Sequence, residues 1–355
     1  MRERLYRRKT TSPKLWRPKP FTQIAIERLL FSFFNDDDNL LPLSDGRWII
    51  VFSVAKADRR RRPAVGVGYR SAIAAWTRAN LKCFDLLEVT IDHCIYGSAT
   101  QCAEIFDLVG CIPINAHGIG LSIGTDVPLD LAYLDQVAAI VDQLRAPTYS
   151  EHLAFTRVPG RDLANLLPLP QTMAAVESIV AKVRTVQSRI GVPFLLENIS
   201  YAFEWPDSNL SDADFLNLIC RESGAGLLLD VENLYLNSQN HDFDAYEFLD
   251  KLAPDLVREV HMAGGIAISD AGLQRSFLAD THSHPVPNET LDLLQYALSL
   301  YAPQTIILER DDRLDATGEI LADVERIRLC VDQRSKYAQG KGIVGSSSSP
   351  ARIPD

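Results

Sequence analysis

Four histidines and four carboxylates recur along the 355-residue chain: His117, His152, Glu197, Asp230, His261, Asp280, His282 and Glu309. Imidazole and carboxylate without thiolate are the donors of iron, manganese or zinc sites. Eight donors are too many for one ion. Two six-coordinate ions offer about twelve positions, so eight protein donors leave room for water, oxygen or substrate. Bridging carboxylates would admit a third ion. Adjacent ions support either hydrolysis through a bridging hydroxide or oxygen activation by iron, and the spacing does not choose between them. Any one of these residues could be a cap or an ion-pair partner. Their joint placement argues otherwise, because four converging carboxylates would raise each other's pKa values, a penalty that cations remove.

The placement comes from the elements that carry them. Short apolar runs at 65–68, 86–89, 112–116, 148–150, 194–196, 226–229, 257–260 and 305–308 read as strands. Apolar residues at helical spacing fill 129–144 and 173–190, and further helices are expected over 212–220 (after the N-cap Ser211), 289–301 and 319–330. Strands alternating with helices in this number predict an α/β fold, a (β/α)8 TIM barrel. An open doubly wound sheet is the alternative, but it wants a glycine-rich phosphate loop, and Gly66-Val67-Gly68 is only a fragment of one. In a barrel, functional groups sit at the C-terminal ends of strands, and that is where six of the eight donors fall, with Asp280 and His282 in the loop after strand seven. Glu88, closing strand two, and Asp311, just past strand eight, are the candidate catalytic carboxylates. Glu151, Asn198, Glu232 and Asn233 adjoin proposed ligands and are expected to support them. His284 could share the face of Asp280 and His282, and His241 is expected to cap a helix or lie near a helix start.

Composition narrows the function class. The chain is 46% hydrophobic and carries a net charge of −10, with no apolar run long enough to span a membrane. Residues 1–62 hold 15 Lys+Arg and 7 Asp+Glu, a net of +8, and the rest carries −18. An acidic body argues against nonspecific nucleic-acid binding and suits a carboxylate-rich site. The six cysteines form no C-x-x-C pair, so free thiols and a cytoplasmic location are expected. Residues 1–62 are expected to be a loosely ordered extension rather than a docking arm, 63–334 the barrel, and 335–355 a disordered Gly/Ser/Pro-rich tail.

The same residues carry a resemblance. His117-Gly118-Ile119-Gly120-Leu121-Ser122, Ser150-Glu151-His152-Leu153 and Leu166-Leu167-Pro168-Leu169-Pro170 are followed in order by Leu195-Leu196-Glu197-Asn198 and Leu228-Leu229-Asp230-Val231-Glu232-Asn233. Then come Glu259-Val260-His261-Met262-Ala263-Gly264, Asp280-Thr281-His282 and Ile307-Leu308-Glu309. From about Val65 to Cys330 the chain resembles the multinuclear non-haem iron-dependent oxidative enzymes, the family of the methanobactin-biosynthesis enzyme. The resemblance implies a TIM barrel and two or three irons of mixed Fe(II)/Fe(III) state on the eight donors. It also implies dioxygen as co-substrate and a ribosomally made precursor peptide modified at cysteine. A small partner protein that presents the peptide is implied as well. Oxidation of cysteine to an oxazolone–thioamide and carbon excision are its precedents. A divalent-metal hydrolase or sugar isomerase on the same barrel is the rival reading. The chain departs from the family pattern at Glu232, where asparagine is common, at Arg310, where tryptophan is common, and in the strand-two segment Glu88-Val89-Thr90-Ile91-Asp92-His93.

Overall fold

The computed structural model describes residues 39–42, 48–51, 62–270 and 275–339. The chain divides into two units, 1–55 and 56–355. In the first, Asn39–Pro42 and Trp48–Val51 pair as an antiparallel hairpin. Most of the expected N-terminal extension, and the tail beyond Gln339, lie outside the described residues. The last helix, Thr317–Gln339, passes the expected domain end at 334.

The second unit is a closed eight-stranded parallel barrel. Its strands are β1 (Ala64–Gly68), β2 (Leu87–Thr90), β3 (Ile114–Gly118), β4 (Tyr149–His152), β5 (Phe194–Glu197), β6 (Gly226–Asp230), β7 (Val257–Met262) and β8 (Thr305–Leu308). Each pairs with its sequence neighbours, and β8 closes on β1. Strands buried on both faces are rich in apolar residues outside the positions that carry the site. Leu227, Leu228 and Leu229 in β6 and Ile306, Ile307 and Leu308 in β8 are all fully buried.

The covering helices form where apolar residues recur at helical spacing. Leu131–Leu144 buries Leu134, Val137, Val141 and Leu144, and Asp130 caps it by accepting from the N–H groups of Ala132 and Tyr133. Met173–Gln187 and Asp212–Ser223 are capped by Thr172 and Ser211. Packing against the barrel supplies most of the stability of such helices.

Two antiparallel hairpins rise from the C-terminal end of the barrel, Phe155–Val158 with Arg161–Leu167 after β4, and Ile266–Asp270 with Arg275–Ala279 after β7. Neither falls among the strands that the sequence predicts. Pro159-Gly160, with Gly160 at φ 74°, is the turn signal that marks the first. No described helix is long and apolar enough to cross a membrane, and all six cysteines are free thiols.

Candidate metal centre

Glu197, at the end of β5, is where three imidazoles converge. Its Oε2 lies 3.4 Å from His117 Nε2 and 3.3 Å from His152 Nε2, and its Oε1 lies 3.2 Å from His261 Nδ1. Glu309 Oε2 stands 3.1 Å from the same Nδ1. Separations near 3 Å are those of donors bound at about 2.1 Å to a common ion. Although close, Glu197 Oε2, His261 Nδ1 and Asp230 Oδ2 are buried without an aligned hydrogen bond, which a cation between them would explain.

Three groups among the described residues could each hold an ion: Glu88, His117 and His261; His117, His152 and Glu197; and Glu197, Asp230, His261 and Glu309. The structure thus gathers six of the eight expected donors, His117, His152, Glu197, Asp230, His261 and Glu309, and adds Glu88 beside them. Asp280 and His282 pair at the rim, where His282 Nε2 is 2.6 Å from Asp280 Oδ1 without hydrogen-bond alignment. His282 Nδ1 lies 3.8 Å from Glu309 Oε2. His282 also has φ 47°, a left-handed backbone that is costly for a residue with a side chain.

The ring nitrogens that face away from the cluster are held by the protein. Ser150 Oγ donates to Ala116 O and lies 2.8 Å from His117 Nδ1, so it can accept that ring's proton. His152 Nδ1 is 3.1 Å from Gly118 O, and His282 Nδ1 is 2.9 Å from Asp311 Oδ2. His261 Nε2 is 3.0 Å from Glu88 Oε1. Metal-binding histidines are oriented in this way, with the distal N–H given to a carboxylate, hydroxyl or carbonyl. Glu88 and Asp311, expected as catalytic carboxylates, therefore touch the far nitrogens of two candidate ligands.

Asp230 shows how the local fold builds the site. It ends β6 and caps the helix Val231–His241, with Oδ1 accepting from Asn233 N–H at 2.7 Å. The Asn198 amide donates to Asp230 O and accepts from Asp230 N–H, both at 2.9 Å. Oδ2 is left for the cluster. Burial, with Glu197 and Asp280 nearby, holds this carboxyl well above the usual range. Burial opposes ionisation of Glu197 too, but His152, His261 and His117 outweigh it and pull Glu197 to about 2. Burial likewise disfavours charge on His152, yet Glu197 and Glu151 lift it to about 9. Without metal, protons on imidazoles balance the carboxylates, and cations can take that place. The donor set fits first-row ions of the iron, manganese and zinc kind.

Other residues add to the sequence reading or depart from it. Arg70, just beyond β1, was missed. Its Nε donates to Asp311 at 2.5 Å and its Nη2 reaches Glu309 Oε1 at 3.5 Å. An arginine following Gly68-Tyr69 at a strand end was the available signal. His241 closes the Val231–His241 helix and stands just before the next, Ala245–Lys251, with Nε2 2.9 Å from Tyr201 O. His284 is exposed and bonded to Ser283. Glu232 accepts from Gly265 N–H and Thr290 Oγ1, tying the loop after β7 to the helix Asn288–Leu300. Glu151 accepts from Tyr149 Oη, Leu121 N–H and His152 N–H, and so adjoins the candidate ligand His152 as expected. Arg310 points outward from β8 and is buried against Ser283 O and Asp323.

The model of the RiPP precursor modification enzymes MbnB/TglH/ChrH matches residues 64–332. A UPF0276 protein of Acinetobacter baylyi is 34% identical over 265 residues, covering 75% of this chain and 90% of its own length. A UPF0276 protein of Bordetella bronchiseptica is 36% identical over 218 residues, 61% of this chain and 75% of its own. Among solved structures, a xylose isomerase-like TIM barrel protein from Mycobacterium smegmatis in complex with magnesium aligns over 78% of this chain and 99% of its own. Its TM-score is 0.52 at 14% identity, a likeness of fold alone. With the family model spanning the whole barrel and every strand end described above, the chain belongs to the MbnB/TglH/ChrH family of RiPP precursor modification enzymes.

Proposed function

We propose that the protein is a multinuclear iron-dependent oxidase or oxygenase that uses dioxygen to modify a ribosomally made peptide, at a cysteine. The observation that carries this reading is the Glu197 carboxylate, buried between three imidazoles, with Asp230 and Glu309 beside it and no aligned hydrogen bond on its Oε2. His117, His152, Glu197, Asp230, His261 and Glu309 would hold the ions, with Asp280 and His282 completing the rim. Bound iron would supply dioxygen reduction and a soft enough centre for a thiolate.

The protein's own groups do the positioning. Glu88 and Asp311 hold the distal protons of His261 and His282, and Ser150 and Gly118 O those of His117 and His152. His261 and Glu197 are closed off from solvent, whereas the side chains of His152, His282 and Asp280 are 13%, 15% and 22% exposed. Substrate therefore approaches over the rim formed by these three residues. Arg70, paired to Asp311 and Glu309, keeps that rim from being wholly anionic.

The test is metal analysis of protein purified without oxygen or added metal, followed by oxygen uptake with cysteine-containing peptides. Two or three irons per chain and peptide-dependent oxygen consumption are expected. Zinc or manganese instead, with oxygen-independent turnover of a sugar or a hydrolysable ester, would overturn the reading in favour of an isomerase or hydrolase.

A further inference from the structure

The hairpin Ile266–Asp270/Arg275–Ala279 leaves the barrel after β7 and returns directly into Asp280. Among the described residues it is a two-stranded sheet with no third strand. Its two edges differ. On the Arg275–Ala279 side, the Asn240 amide accepts from Leu278 N–H and donates to Leu278 O, both at 2.9 Å. A side chain thus stands where a neighbouring strand would, and that edge is closed.

The other edge follows from the register. Leu278 pairs with Ala267, and Ser276 with Ser269. In an antiparallel ladder, bonded and non-bonded pairs alternate. Leu278 turns its main-chain groups outward to Asn240, so Leu278 and Ala267 are a non-bonded pair. The N–H and C=O of Ala267, and of Ser269 two residues on, then face away from the hairpin on the opposite edge. No hydrogen bond to them is present among the described residues. Unpaired edges of this kind are templates for another strand. Ile268 and Phe277 lie opposite each other, 47% and 38% exposed, an apolar pair on which a strand's alternate side chains could rest.

We propose that the edge Ile266–Asp270 receives the peptide substrate as an added β-strand, so that the peptide is held by its main chain as it passes to the rim at Asp280 and His282. The proposal rests on the peptide-modifying reading above. The chemistry selects an extended peptide as occupant, because alternate outward N–H and C=O groups are matched by a strand and not by a helix or a sugar. Recognition through main-chain bonds would leave the peptide's side chains mostly unread outside the apolar contact.

A displayed library of linear peptides with one fixed cysteine is selected against the iron-loaded full chain. Enriched peptides are then measured against Ala267→Pro, Ser269→Pro and the control Ala267→Ser. Proline at an outward-facing edge position removes a donor without breaking the hairpin's own ladder, and unchanged iron content reports the fold. Loss of about tenfold or more in affinity in each proline variant is expected, with Ala267→Ser unchanged. N-methylation along the peptide should weaken binding at every second residue. Enriched peptides that bind the proline variants equally well, or show no two-residue period, would overturn the edge proposal while sparing the peptide reading. No enrichment at all would likewise overturn the edge proposal, while the peptide reading stands or falls on the peptide-dependent oxygen uptake above.

Discussion

His261 Nε2 lies 3.0 Å from Glu88 Oε1 while its Nδ1 faces Glu197 and Glu309 at 3.2 and 3.1 Å. One imidazole on β7 thus joins a carboxylate within β2 to one at the end of β5 and one just past β8. Glu88→Gln keeps the shape of the partner but removes its charge. Metal affinity should fall about 10–100-fold, read by competition with a chelator, with the fold unchanged by circular dichroism. Unaltered affinity would show that Glu88 does not orient His261.

Glu197 contacts three imidazoles, whereas among the described residues Asp280 is within hydrogen-bonding range of His282 and Ser200 alone. Glu197→Ala should therefore strip most of the metal, as should His152→Ala and Asp230→Ala. Asp280→Ala should lower the metal content only in part. Elemental analysis of the purified variants separates these outcomes, and normal loading in the His152 and Asp230 variants would refute the ligand assignment.

His152 in the metal-free protein is raised to about 9, burial being outweighed by Glu197 and Glu151. A raised histidine pKa adds stability that is complete below the unfolded value near 6.5 and is lost as pH rises through about 9. A metal must displace that proton. Metal-free protein should thus lose stability between about pH 6.5 and 9, while apparent metal affinity climbs over the same range. Calorimetry in buffers of different ionisation heat should show proton release on binding at pH 7.

Arg310 is 1% exposed and bonds Asp323, also 1% exposed, at 3.1 Å. Arg310→Met would leave Asp323 with Arg326 and the Val286 N–H as its remaining partners. With Arg326 still on Asp323, the loss should stay below the roughly 3–5 kcal/mol of a buried charge left unpaired, and should appear as a lower urea midpoint. Adding Asp323→Leu should recover much of it. Arg310 thus ties the segment after β8 to the last helix, with its guanidinium on Asp323.

All eight strands were legible in the sequence because most carry a short apolar run buried on both faces and bounded by helical spacing. The strand-end rule then gathered the His and carboxylate candidates. What escaped was whatever depends on contact across the barrel. Nothing local to Glu88 says that it will meet His261, 173 residues away, and nothing local to Arg70 names Glu309. The helix after β6 was hidden because Asp230 is at once the last strand residue and the cap, leaving no loop to announce a start. The role of Glu232 was hidden for a related reason: its partners, Gly265 and Thr290, come from a loop and a helix that the local pattern does not bring near.

Asn198 gives Asp230 both of the bonds that a longer β5 would have given. The main chain beneath a central donor is thereby fixed by the amide, independently of any ion. Such a socket keeps its shape when vacated. Ions could come and go on the timescale of ligand exchange rather than of refolding, and a cluster damaged by oxidation could be rebuilt in place on the same polypeptide.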